Sequence, residues 1–205
     1  MIPGFEPLED LRDALLDFAS NDSCFVIAPI GEAGSEVRRR SDQILKHVIR
    51  PAAEACGMKA TRADEIAEPG LITNQVVGRL ISDKWVIADL TGRNPNVYYE
   101  LAIRHAIRRP IVQLIEAGES IPFDIAGTRV IQINHRDLDS VEQARLNLIS
   151  AMNSLGDGVL VESPITAAVG LAMLDNLKGY FKKMDELKEV MWVVADSIRR
   201  VDRPI

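Results

Sequence analysis

Up to about residue 135, short apolar runs alternate with helical patterns, and this alternation predicts strand–helix–strand units around a parallel sheet. The runs "SCFVIAPI" (23–30), "MKATRA" (58–63), "KWVIADL" (84–90), "PIVQLI" (110–115) and "TRVIQI" (128–133) read as strands. Each is rich in β-formers and bounded by Gly, Pro, Asp or Asn. Helical spacing covers 36–56, 71–82 and 96–108, with Gly57 placed to end the first helix and Pro51 to kink it. Right-handed crossovers wind such units into a flavodoxin-like (Rossmannoid) α/β domain, a five-stranded parallel sheet with helices on both faces. The ligand crevice of such a sheet lies outside the carboxyl ends of its strands. The loops "PIGEAGSE", "DEIAEPGLIT" and "DLTGRNPNV" are therefore expected to meet at one rim.

Beyond residue 137 the pattern turns helical, in "DLDSVEQARLNLISAMNSL" and then "SPITAAVGLAMLDNLKGYFKKMDELKEVMWVVADSIRRV". The expected organisation is an N-terminal helical segment (1–21), the α/β domain (22–155) and a C-terminal helical tail (156–205), with the boundary in "SLGDGVLVESP". The stretch "LKEVMWVVADSI" is apolar around most of its circumference. It fits a helix covering the domain's own sheet and equally one packed between subunits, which makes the tail a candidate oligomerisation element.

Composition narrows the classes of function. The 205 residues are 47% hydrophobic and 26% charged, as in compact domains. A formal net charge of −6 sets nucleic acid aside as the main partner. Cys24 and Cys56, each in an apolar run, read as reduced core thiols. The sequence shows no basic leader and no run of the roughly 20 apolar residues that a membrane span needs, so a cytoplasmic location with no membrane partner is expected.

Motifs narrow them further. Neither a G-x-x-x-x-G-K-[ST] loop nor a G-x-G-x-x-G after the first strand is present, and G-x-S-x-G is missing. His47, His105 and His135 lie on different elements and share no ligand spacing with a cysteine, so no metal is expected. What remains at the expected crevice is a set of carboxylates and amides: Asp64, Asp89, Asn94, Asn96 and Glu100. Asn94 before Pro95 reads as a helix cap with proline at the first helical position, which puts Glu100 in the second turn. The spacing of Glu100, Arg104 and Arg108 also suits an ordinary charged stripe with an ion pair. The apolar neighbours Val97, Tyr98, Tyr99, Leu101, Ile103 and Ile107 leave the helix little solvated face, however, and favour a carboxylate in a pocket.

In order, "FVIAPIG", "RAD", "VIADLTGRNPNVYYELAIRHAIRRP" and "IPFDIAGTRVI" resemble the nucleoside 2-deoxyribosyltransferase-like superfamily, which is related in fold to TIR-type NAD-cleaving domains. The resemblance covers roughly residues 22–135, and "NPNVYYEL" is its most specific part. It implies that Glu100 is catalytic, acting on the anomeric carbon of a nucleoside or nucleotide as carboxylates do in glycosidases. It also implies substrate-binding roles. Asn94, Asn96 and Tyr99 would position the sugar and Asp89 its hydroxyls, Pro29, Gly31 and Arg40 would hold the base or phosphate, and Asp64 would stand at the same rim. An acidic residue of the transferases aligns with Asn94, so the usual proton donor is missing from that place. A pyridinium such as nicotinamide leaves without a proton, and this favours NAD as substrate, with no cofactor required. The TIR relation further suggests a defence effector, and the apolar circumference of "LKEVMWVVADSI" leads to the expectation of a homo-oligomer. The alternatives are a silent nucleotide-sensing module and a nucleoside hydrolase or transferase.

Overall fold

The computed structural model describes residues 22–67, 71–122, 125, 128–154 and 161–167. The expectations for 1–21 and for most of 156–205, including "LKEVMWVVADSI", lie outside the described residues. The chain divides into two compact units with the boundary between Pro164 and Ile165, and the first holds the sheet.

The strands are β1 (Ser23–Ile27), β2 (Lys59–Arg62), β3 (Trp85–Asp89), β4 (Ile111–Glu116) and β5 (Val130–Ile133). All pair in parallel, in the order β2-β1-β3-β4-β5. This is the flavodoxin-like order, whose winding reverses between β1 and β3. Among the described residues, the sheet is accompanied by helices α1 (Glu36–Ile44), α2 (Arg50–Ala55), α3 (Ile72–Ser82), α4 (Pro95–Ala106) and α5 (Leu138–Ser154).

Period-two alternation along the strands divides the core between the two faces of the sheet. Cys24, Val26, Trp85 and Ile87 pack with Ile44, Val48 and Ala52 of the α1–α2 arm and with Leu148 of α5. Phe25, Ile27, Val86 and Ala88 pack instead with Val76 and Leu80 of α3 and with Val97 and Leu101 of α4. Burying an aliphatic side chain of this kind contributes about 1.5–3 kcal/mol, so each face is anchored by several such residues.

The kink expected at Pro51 takes the form of a change in helical winding. Proline has no N–H to offer one turn back, and the ladder slips ahead of it into a π-helical turn, Leu45–Ile49, with the Arg50 N–H reaching the Leu45 carbonyl. α2 then ends at Gly57, whose φ of +74° allows the Met58 N–H to close on the Ala53 carbonyl at 2.9 Å and the Gly57 N–H on that of Glu54 at 3.0 Å.

Candidate active site

At the switch between β1 and β3 the three loops meet around a cavity of about 470 Å³. The β1 loop contributes Ala28, Ile30 and Gly31, and the β2 loop Ala63, Asp64 and Ile66. Ile72, Gln75 and Val76 of α3 form one wall, and Asn94, Asn96, Val97 and Glu100 complete the lining.

The start of α4 builds the Glu100 side of the cavity. The Asn96 N–H donates to Asn94 Oδ1 at 3.0 Å, and Pro95 occupies the first helical position, so the helix begins with its N-terminal turn at the cavity. Val97 and Leu101 turn into the core, which places Glu100 on the flank of that buried stripe, half covered by its surroundings. Glu100 forms neither a hydrogen bond nor an ion pair among the described residues. Burial without a compensating charge pushes its carboxyl up to about 7.

Asp64, the other carboxylate lining the cavity among the described residues, has the opposite environment. Arg62, buried at the end of β2, donates to it at 2.6 and 3.0 Å, and Arg38 of α1 pairs with it at 2.9 Å. Burial alone would raise its pKa, but the Arg62 hydrogen bonds and the two guanidinium charges hold it below the ordinary carboxylate range. Arg62 itself is fixed from behind by Ser41 Oγ at 2.8 Å and Asp42 at 2.6 Å. One cavity thus contains a carboxylate held ionised and a carboxyl that keeps its proton up to neutral pH.

Gly31 is required by geometry. Its φ is +67°, and a Cβ there would stand 2.8 Å from Ser35 Oγ and 2.9 Å from Val37 Cβ. Gly31→Ala is expected to cost about 1–3 kcal/mol through positive-φ strain and this clash, and to displace the β1 loop that lines the cavity. A melting temperature within one degree of the wild type would contradict this.

Of the sequence-predicted residues, Gly31, Asp64, Asn94, Asn96 and Glu100 line the cavity, whereas Pro29, Arg40, Asp89 and Tyr99 do not. Pro29 is buried, and Tyr99 is 65% exposed on the outer side of α4. Asp89 shares the alternation of Trp85 and Ile87 and therefore faces the α1 side of the sheet. There Arg40 bridges it at 2.6 Å to Glu116 at 2.8 Å, and His135 closes on Glu116 at 3.0 Å. Asp89 also accepts from the Thr91 N–H at 3.1 Å, so Arg40 and Asp89 together brace the ends of β3 and β4. The three consecutive arginines separate in the way a 100° helical step requires: Arg38 reaches Asp64, Arg39 reaches Glu36 and Arg40 reaches Asp89.

The stripe of Glu100, Arg104 and Arg108 is not an ion-pair ladder. Arg104 is fully buried and donates to the carbonyls of Leu80 (2.6 Å), Asp83 (2.9 Å), Lys84 (2.9 Å) and Pro110 (3.0 Å). Residues that sequence reasoning did not single out are Arg62, which positions Asp64, and Gln75 on the α3 wall. An arginine within the short "KATR" strand was the available signal for the first.

No family model matches the chain, and no curated protein matches it. Among solved structures, a 2-deoxyribosyltransferase from Leishmania mexicana is similar at 12% identity and a TM-score of 0.36. That match covers 45% of this chain and 63% of the transferase, less than two thirds of its length. A CMP N-glycosidase from Clostridium botulinum is similar at 17% identity and a TM-score of 0.38, over 61% of this chain and 98% of that one. Likeness at this level assigns this chain neither a substrate nor a residue role.

Proposed function

We propose that the protein is an N-glycosidase that cleaves the base–ribose bond of a nucleotide or nucleoside, with NAD the favoured substrate. The observation that carries this reading is Glu100, a half-buried carboxyl with no partner among the described residues, in a cavity at the switch point of a nucleotide-type fold. Its carboxylate form stabilises the oxocarbenium carbon exposed as the base departs, or bonds to it. Asp64, ionised and fixed by Arg62 and Arg38, is suited to accept hydrogen bonds from sugar hydroxyls. Asn94 uses its side-chain oxygen to cap α4, and as an amide it provides no acid. A leaving group that is already cationic, such as nicotinamide, suits this arrangement. A role as a defence effector belongs to the same proposal and rests on the family resemblance, and assembly through the tail rests on the apolar pattern of "LKEVMWVVADSI".

The test incubates the purified protein with NAD, ribonucleosides, deoxynucleosides and their monophosphates and identifies free base by chromatography. Release of nicotinamide supports the glycosidase reading with NAD as substrate, and release of another base moves the substrate within it. No release from any member of the panel, with ligand binding intact, leaves a nucleotide-sensing module in its place.

A further inference from the structure

Resting on that glycosidase reading, the structure raises the question of which group protonates a leaving base that is neutral. Among the described residues, the polar ones lining the cavity are Asp64, Gln75, Asn94, Asn96 and Glu100. The three amides have no acidic proton to give. Asp64 is occupied by two guanidiniums at 2.6–3.0 Å, and those arginines remain protonated. The α3 wall offers Ile72, Gln75 and Val76, and the β1 loop Ala28, Ile30 and Gly31, none of which titrates. One turn along α4 from Glu100, the charge of Arg104 is turned inward onto backbone carbonyls.

We propose that Glu100 serves as its own general acid when the leaving base is neutral, and as a bare carboxylate when the base is already a cation. In the first mode the Glu100 carboxyl passes its proton to a ring nitrogen of the base. The C1′–N bond breaks with its electron pair going to the base, which departs neutral, and the new carboxylate faces the oxocarbenium carbon. Water then adds its oxygen to C1′ and returns one proton to Glu100. In the second mode Glu100 begins ionised, the pyridinium departs as a neutral base with the bond pair, and the proton from water is released to solvent. A carboxyl that titrates near neutral pH populates both forms in the working range.

The two modes need opposite protonation states of a single residue, and this makes them separable in the wild-type protein. The substrates are nicotinamide riboside, a permanent cation, and adenosine, whose base stays neutral across the range roughly pH 5.5 to 8.5, with nicotinamide mononucleotide and AMP as their phosphorylated counterparts. The ratio of kcat/KM for the cationic substrate to that for the neutral one is expected to rise about tenfold per pH unit across the titration of Glu100. Asp64→Asn is expected to lower both substrates alike and to keep that slope. Two profiles that run parallel would overturn the proposal, as would adenosine cleavage lost selectively in Asp64→Asn, which would make Asp64 the acid. Cleavage of the pyridinium with none of adenosine, even at pH 5.5, would overturn it as well. Cleavage of neither class is a different result and removes the glycosidase reading itself.

Discussion

Glu100→Gln is expected to lower base release at least about a hundredfold while the protein folds and, above neutral pH, becomes more stable. Glutamine keeps the shape of the side chain but gives neither a proton nor a negative charge to an oxocarbenium carbon. A hundredfold loss corresponds to about 3 kcal/mol of barrier. The stability change has the opposite sign, which follows from linkage. The native carboxyl titrates at about 7 against an ordinary value of 4.5, so between those values the folded state holds a proton that the unfolded state has lost. Stability of the wild type therefore falls as pH rises through that window, and the whole cost is present above it. The shift sets an upper bound of about 3 kcal/mol, and solvent screening of a half-buried group reduces this to roughly 1–2 kcal/mol. Glutamine does not incur that cost. The variant should melt roughly 2–8 °C above wild type at pH 8, with the difference closing towards pH 4.5. Base release and thermal unfolding measured on both proteins at the two pH values check both halves. Undiminished activity would return Glu100 to the status of a surface charge.

The division of labour between sequence and structure follows the physics of each signal. Strands and helices were legible because burial imposes a period, and the termini at Gly57 and Asn94–Pro95 because few residues satisfy a positive φ or a capped first turn. Convergence of the loops after β1, β2 and β3 followed from topology alone. The direction of individual charged side chains was harder to read, because an ion pair depends on which elements lie opposite. The signals were nonetheless partly present. Trp85, Ile87 and Asp89 share a strand face, so period two already set Asp89 on the α1 side, away from a cavity formed by α3 and α4. Val97, Leu101 and Arg104 follow i, i+4, i+7 spacing, which is the buried stripe of α4. The pairing of Arg62 with Asp64, which holds Asp64 ionised beside a Glu100 that lacks such a partner among the described residues, left no periodic trace.

Arg104 carries the second large expectation. Its guanidinium is pressed down to about 9, by burial first and by the charge of Arg109 second, and it remains protonated at neutral pH. What keeps it in the core is its fan of bonds to the carbonyls of Leu80, Asp83, Lys84 and Pro110, which ties the end of α3 and the turn before β3 to the turn before β4. Arg104→Met preserves most of the stem but removes every donor, leaving carbonyls at the ends of three elements with fewer partners in a buried place. Loss of one member of such a buried charged network costs about 3–5 kcal/mol, a large part of the 5–15 kcal/mol that stabilises a typical domain. The expected fall in melting temperature is roughly 6–20 °C. Arg104→Lys keeps a cation and some of the bonds, and should lose about half as much. An exposed ion pair between Glu100 and Arg104 would instead be worth at most about 0.5 kcal/mol to the helix, and both Arg104 variants would then melt within one or two degrees of wild type. The double variant Glu100→Gln/Arg104→Met separates the two pictures again. If Arg104 is spent on backbone carbonyls, the two single changes add, and a coupling energy above about 0.5 kcal/mol between them would show that the two side chains meet.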